Sequence, residues 1–201
     1  MTLIFKKEAH TYHLDGKELK SVSKWIEQFV PKFDSEAVSM ACAKRDNLNQ
    51  QDILDKWEKK KNISVHLGNW VHESIEYYLK YDKDFTNAPV EAFKKHQTQN
   101  RYLSETIVHS DEIAGTIDLI EVIEKGKVKI HDFKTNEDLY KKKGKLLGAY
   151  KHLENSPVNK YTLQLNKYKE LLQGMKDVEV LELNLWHYKD GEFKIIKLDI
   201  L

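Results

Sequence analysis

Cysteine is almost missing from this chain of 201 residues: Cys42 is the only one. A lone thiol excludes a disulfide framework and any iron–sulfur staple, which needs several thiolates. No G-x4-G-K-[ST] stretch occurs, so the chain has no phosphate-binding loop, binds no nucleotide that way, and would need another chain for any helicase motor. No apolar run approaches ~18 residues, which excludes a helical membrane span. The opening Met-Thr-Leu-Ile-Phe-Lys-Lys lacks the pattern of a secretory signal, and with the single thiol this points to the cytosol. Repeats, histidine-rich tracts and low-complexity segments are absent too. Pro31 and Pro157 punctuate the chain without a linker around them.

What remains is an ordinary soluble composition, 40% hydrophobic and 32% charged, with a mean hydropathy of −0.66. The length fits one compact domain with a real core. A net charge of +1 hides an uneven distribution. Lys141, Lys142, Lys143, Lys145, Lys151, Lys160, Lys167 and Lys169 crowd one stretch, whereas Asp34, Glu36, Glu179 and Glu182 lie elsewhere. Such a stretch is either a solvated loop or a phosphate-binding surface that reads no sequence.

The pattern predicts an N-terminal hairpin over 4–19 turning at Asp15-Gly16, then helices over 21–30 and 35–60. A helix starting at Gly68, another near 90–102, and a hairpin over 113–135 follow. A helix over 160–173, stopped by Gly174, and a closing hairpin around Asp190-Gly191 complete the chain. The fold class is therefore α/β. The connection 136–159 is long and is expected to carry a short helix or a DNA-contacting lid.

The central hairpin fixes geometry. Residues 113–123 and 128–135 are rich in β-branched side chains, and Gly126 suits the left-handed position of a three-residue loop. That loop pairs 122 with 128, 120 with 130, and 118 with 132. Val122/Val128, Ile120/Ile130 and Asp118/Asp132 then share a face, with Lys134 next; a one-residue slip would bury Lys129 instead. Directly opposed residues have Cβ atoms about 4.5–5.5 Å apart, where like charges repel, and on an apolar parity each carboxylate is costly. A cation between them resolves both problems, and oxygen ligands favour Mg²⁺ or Mn²⁺ over zinc. Alone, D-x-K at a strand end reads better as a surface ion pair; the register, the apolar parity and the opposed acid turn the reading toward a metal.

Two helices add further groups. Gly68, His72 and Glu76 form one row at i, i+4 and i+8, where the glycine permits close approach and the imidazole can ligate a metal. Gln164 and Tyr168 lie one turn apart on the later helix. Trp25, Trp57 and Trp70 are candidates to stack on unpaired bases. Trp57, amid lysines, is the better one, and Trp70 is expected in the core. Each motif by itself also has a plain structural reading.

In order, however, G-x3-H-x3-E, G-T-x-D, D-x-K and Q-x3-Y resemble the RecB-like branch of the PD-(D/E)XK nuclease superfamily. His10-Thr-Tyr12 and Ser21-Val-Ser-Lys-Trp25 are similar to the N-terminal segment of phage-type exonucleases and the mitochondrial genome maintenance exonuclease. Ile117 replaces the motif's proline and Asp132 its glutamate, both tolerated in that branch.

The resemblance implies a restriction-endonuclease-like core, a mixed sheet flanked by helices, within one domain: 1–64 as N-terminal hairpin and helices, 65–201 as catalytic core. It implies that His72, Asp118, Asp132 and the Phe133 carbonyl ligate Mg²⁺ or Mn²⁺, and that Lys134 orients and activates the attacking water. Gln164 and Tyr168 would hold that lysine or the DNA backbone. Glu76 would take a second metal or a metal-bound water, and Glu105 would be a brace or a plain strand-end acid. Lys141, Lys142, Lys143, Lys145, Lys160, Lys167 and Trp57 are the expected DNA contacts.

The function implied is a metal-dependent exonuclease on single-stranded or flap ends of DNA, in recombination, repair or phage genome processing. It would work in the cytoplasm of a bacterial or phage-infected cell, as a homo-oligomer or with a recombination partner. A structure-specific endonuclease and a non-catalytic DNA-binding module are the alternatives.

Overall fold

Asp15 and Gly16, both left-handed at φ 47° and 88°, make a tight turn in the computed structural model, which describes residues 2–6, 9 and 11–201. They join β2 (Thr11–Leu14) to β3 (Lys17–Ser21), and β1 (Leu3–Lys6) lies antiparallel to β2. His10 lies outside the described residues. Ser21 ends β3 and caps α1 (Val22–Glu27) by accepting a hydrogen bond from the Lys24 N–H, a standard use of a serine hydroxyl.

The helical layout differs from expectation. α2 (Ser35–Asp46) stops at left-handed Asn47, and Asn49 caps α3, which runs from Gln50–Lys80 without a break. At about 1.5 Å per residue α3 is roughly 46 Å long. The boundary expected at residues 64 and 65 falls in mid-helix, because neither Gly nor Pro interrupts residues 50–67. α4 is short (Ala88–Lys94), and Arg101–His109 form strand β4 where helix was expected up to residue 102.

β5 (Ile113–Glu124) is central. It pairs antiparallel with β4 along one edge and with β6 (Lys127–Lys134) along the other. Val122↔Val128 and Ile120↔Ile130 stand as the hairpin register requires, and Gly126 is left-handed at φ 77°. The turn is one residue tighter than expected, since Glu124 pairs with Lys127 across a bulge. β6 continues parallel to β7 (Glu179–Lys189), which pairs with β8 (Glu192–Leu198) around Asp190-Gly191. The sheet is therefore mixed, in the order β1-β2-β3-β5-β6-β7-β8 with β4 on β5.

Helix α5 (Pro157–Met175) packs Leu163, Leu165, Tyr168, Leu171 and Leu172 on one face of the sheet, against Ile117, Ile120, Ile130 and Leu183. It passes through Gly174 to Met175 instead of stopping there. The C-terminal half of α3 and α4 cover the other face through Val71, Ile75, Phe93, Leu119, Phe133 and Trp186. The long connection holds a 3-10 turn at Gly148–Tyr150 and is tied to the core by buried Leu139 and Leu146.

No helix is long and apolar enough to cross a membrane among the described residues.

Candidate active site

The site grows from an irregularity in the sheet. The β4–β5 ladder pairs Ser104 with Leu119 and Thr106 with Ile117 but skips Glu105 and Asp118, and Glu105 is left-handed at φ 52°. On β5 the side chains exchange faces at this point: Ile117 and Ile120 both join the core under α5, while Leu119 joins the cluster under α3. The β5–β6 ladder also ends at Leu119↔His131, so the two strands diverge one step before Asp118 and Asp132. The simple shared face expected for the two acids is thereby corrected. Asp118 turns toward α3, and its Oδ2 accepts a hydrogen bond from the Phe133 N–H at 2.8 Å and lies 3.5 Å from His72 Nδ1.

His72 is held by its other nitrogen. Nε2 is 3.1 Å from the Phe133 carbonyl, which can only accept, so Nε2 donates there and Nδ1 is the nitrogen turned to Asp118. The carbonyl expected as a ligand is thus engaged on one side by the imidazole. Glu105 completes a cluster in which one ligand atom each from His72, Glu105 and Asp118 lie within 4.8 Å of one another. Burial, then the Asp118 charge, pushes the Glu105 carboxyl up to about 7. That places Glu105 inside the site and not at a plain strand end.

Asp132 lies behind this trio, only 1% exposed. Burial raises its carboxyl to about 6 against the opposing pull of Lys134. Lys134 stands beside it as an ion pair, yet neither carboxylate oxygen has a hydrogen bond of ordinary geometry among the described residues. Burial works against the Lys134 ammonium, but Asp132 and Asp118 hold it above the usual lysine value. Its Nζ also sits 4.8 Å over the Tyr161 ring. Orphaned buried carboxylate oxygens beside two more acids and an imidazole fit a hard divalent cation. The donors are mostly oxygen, and such an ion would satisfy what the protein leaves unpaired.

The remaining expected groups are placed as follows. Gln164 Nε2 donates to the Tyr168 hydroxyl at 2.9 Å, and burial drives that phenol well above its ordinary value. Glu76 pairs with Lys80 at 2.8 Å and lines, with Gly68, His72 and Glu105, a cleft of about 340 Å³. Gly68 is not a steric necessity: an added Cβ would meet only Thr135 Oγ1 at 3.7 Å. The glycine that matters is Gly115, where a Cβ would stand 2.5 Å from Tyr168 Cε1. Thr116 of the same motif hydrogen-bonds the Tyr12 hydroxyl at 2.9 Å.

Of the basic residues, Lys141, Lys143 and Lys160 line one cleft with Lys60. Lys142 is exposed nearby in sequence, and Lys145 pairs with Glu154 at 2.8 Å. Lys167 is not brought to this group; it pairs with Glu170 and lies 5.0 Å over the Trp25 ring. Trp57 is half-buried against Phe33, and Trp70, expected in the core, is 43% exposed and meets Tyr188 edge-on.

Sequence reasoning missed Tyr161, whose hydroxyl donates to Asn136 Oδ1 at 2.6 Å while its ring carries Lys134. Its position seven residues before Tyr168, on the same helix face, was the available signal. A buried network behind β6 was also missed. Trp186 Nε1 donates to His131 Nδ1 at 3.0 Å, and the opposite nitrogen donates to Glu121 Oε2 at 3.1 Å. Thr98 and Asn100 complete the shell of that carboxylate.

A search of curated proteins returns no match to the chain. A family model described as the PD-(D/E)XK nuclease superfamily matches residues 22–196, which takes in every strand and helix that builds the site apart from β1 and β2, with β3 reaching only to its edge. The mixed sheet flanked by helices agrees with the restriction-endonuclease-like fold of that family. The chain therefore belongs to the PD-(D/E)XK nuclease superfamily, whose nucleases act on DNA with divalent metal ions.

Proposed function

We propose that this chain is a Mg²⁺- or Mn²⁺-dependent deoxyribonuclease of the RecB-like branch that digests DNA from its ends, preferring single-stranded or flap ends. The observation that carries the reading is the buried Asp132 carboxylate, left without ordinary hydrogen bonds between the Lys134 ammonium and the His72/Glu105/Asp118 trio. End-dependent action is supported by His10-Thr-Tyr12 and Ser21-Val-Ser-Lys-Trp25, a segment that resembles phage-type exonucleases. A task in recombination, repair or phage genome processing accords with that resemblance.

His72, Asp118 and Asp132 would hold the ion, with Glu105 as a further carboxylate. Bound there, the ion would stabilise charge growing on the phosphate oxygens and on the leaving oxygen. The protein's own groups do the rest. Water attacks phosphorus in line, the new P–O bond forms as the bond to O3′ breaks, the water releases its proton to solvent, and the departing oxygen takes one up. The products are a 5′-phosphate and a 3′-hydroxyl. Lys134 remains an ammonium between Asp132 and Asp118, so it donates hydrogen bonds to the water or the phosphate and does not accept the water's proton. Tyr161 holds it in place from the other side by its ring face.

Digestion of an end-labelled linear single strand against a closed circle tests the reading. Metal-dependent loss of the linear strand alone is expected. Cutting of the circle would favour a structure-specific endonuclease, and binding without cutting a non-catalytic module.

A further inference from the structure

We propose, building on the nuclease reading, that a groove leading away from the metal-binding cluster holds a single strand of DNA, one of whose unpaired bases stacks on Phe33 and Trp57. The groove begins where His72, Phe133, Lys134 and Tyr161 line an opening of about 400 Å³. Lys60, Asn136 and Glu137 line that opening and also a second one of about 530 Å³, which adds Lys141, Lys143 and Lys160. The two openings thus lie side by side on a shared wall. The second reaches aromatic side chains: Lys143 Nζ lies 5.8 Å from the Phe33 ring, and Phe33 and Trp57 are 6.0 Å apart with planes tilted 50°.

Charge and exposure select the occupant. Lys141, Lys143 and Lys160 have no carboxylate within ion-pair distance among the described residues, so the groove gathers cations without neutralising them. Lys160 is held below the ordinary lysine value by burial and then by Lys143. A polyanion offsets the repulsion between these lysines. The acids present compensate only in part: Lys60, Lys141, Lys143 and Lys160 face Glu137, which pairs with Lys60, and Asp138, which accepts from the Tyr140 N–H. Phe33 is 63% exposed and belongs to none of the core clusters, so much of this side chain meets solvent. A scattered exposed phenylalanine would mean nothing, but this one lies under a lysine of the second opening. A base pairs its face with a ring only when it is not already stacked in a duplex, so the platform selects an unpaired strand.

Fluorescence anisotropy of a labelled oligothymidylate of about 20 nucleotides, and of a blunt duplex of equal length, tests this in EDTA, where no strand is cut. Phe33→Ala is expected to weaken oligothymidylate binding about tenfold and to leave duplex binding unchanged. Trp57→Leu, which keeps an apolar contact in the helix, should act in the same direction. Lys143→Gln should weaken binding and flatten its salt dependence by about one phosphate contact. Oligothymidylate affinity unchanged in both aromatic variants would overturn the proposal, as would an equal loss on the duplex. Cleavage by the unaltered protein is scored separately with Mg²⁺. Selective single-strand binding without any cleavage would sink the nuclease reading and leave the groove standing.

Discussion

Gly115 and Tyr168 are in such close register that a methyl group on the first would stand 2.5 Å from Cε1 of the second. Strand β5 and helix α5 meet at this point, directly beside the strand segment that carries Asp118, and the Tyr168 hydroxyl is fixed by Gln164. Gly115→Ala must push the ring or the helix outward, at a cost of about 1–3 kcal/mol. Thermal melts should show the loss, and pairing Gly115→Ala with Tyr168→Leu should recover part of it, a non-additivity expected of groups in contact. Strict additivity would show that the two side chains do not share this space.

Glu105 predicts how pH acts on the metal-free protein. Its carboxyl is raised to about 7, so the folded state binds that proton more tightly than the unfolded chain does. The associated stability is complete below the unfolded value of about 4.5 and is lost as pH rises through about 7. Glu105→Gln should abolish this component, so that in EDTA the variant gains on the parent as pH rises from about 5 to 8. A divalent ion takes the ionised carboxylate, so Mn²⁺ should raise the parent's Tm more at pH about 8 than at about 5. Equal Mn²⁺ effects in parent and variant at both values would remove Glu105 from the metal-binding cluster.

The Glu121–His131–Trp186 network predicts the opposite sign. Hydrogen bonding from His131 lowers Glu121 to about 2 in spite of burial. Its stabilisation is therefore present above the unfolded value of about 4.5 and disappears as pH falls toward 2. Glu121→Ala leaves the His131 N–H buried without its acceptor and should cost about 1–3 kcal/mol at neutral pH. The deficit should shrink in melts at pH about 3. A deficit constant with pH would mean that only packing was lost.

Much of this was legible in the sequence because side-chain parity in a hairpin allows few registers. Val122/Val128 and Ile120/Ile130 set the pairing of β5 and β6, and Gly126 set the turn, so Asp118 and Asp132 had to come near each other. Helical spacing put His72 in a row with Gly68 and Glu76, while Gln164 and Tyr168 gained a role only through the resemblance. The pattern failed where the sheet is irregular. The left-handed Glu105 breaks alternation in β4, so the acid read as peripheral, and the strand's first two residues, Arg101 and Tyr102, read as helix. Lys59-Lys60-Lys61 looked like a helix end, yet α3 continues, because exposed lysines stop a helix no more than alanines do. Phe33 carries no signal by itself; only its position under Lys143 gives it meaning.

The most direct test of the account is the rate at which the protein, with Mg²⁺ or Mn²⁺, degrades an end-labelled linear single strand, measured beside Lys134→Ala. The ammonium at the centre of the site predicts a rate at least about 100-fold lower in the variant, with the fold intact by melting and DNA binding in EDTA retained. Cleavage by Lys134→Ala at the parent's rate would contradict the assignment of this cluster as the nuclease centre.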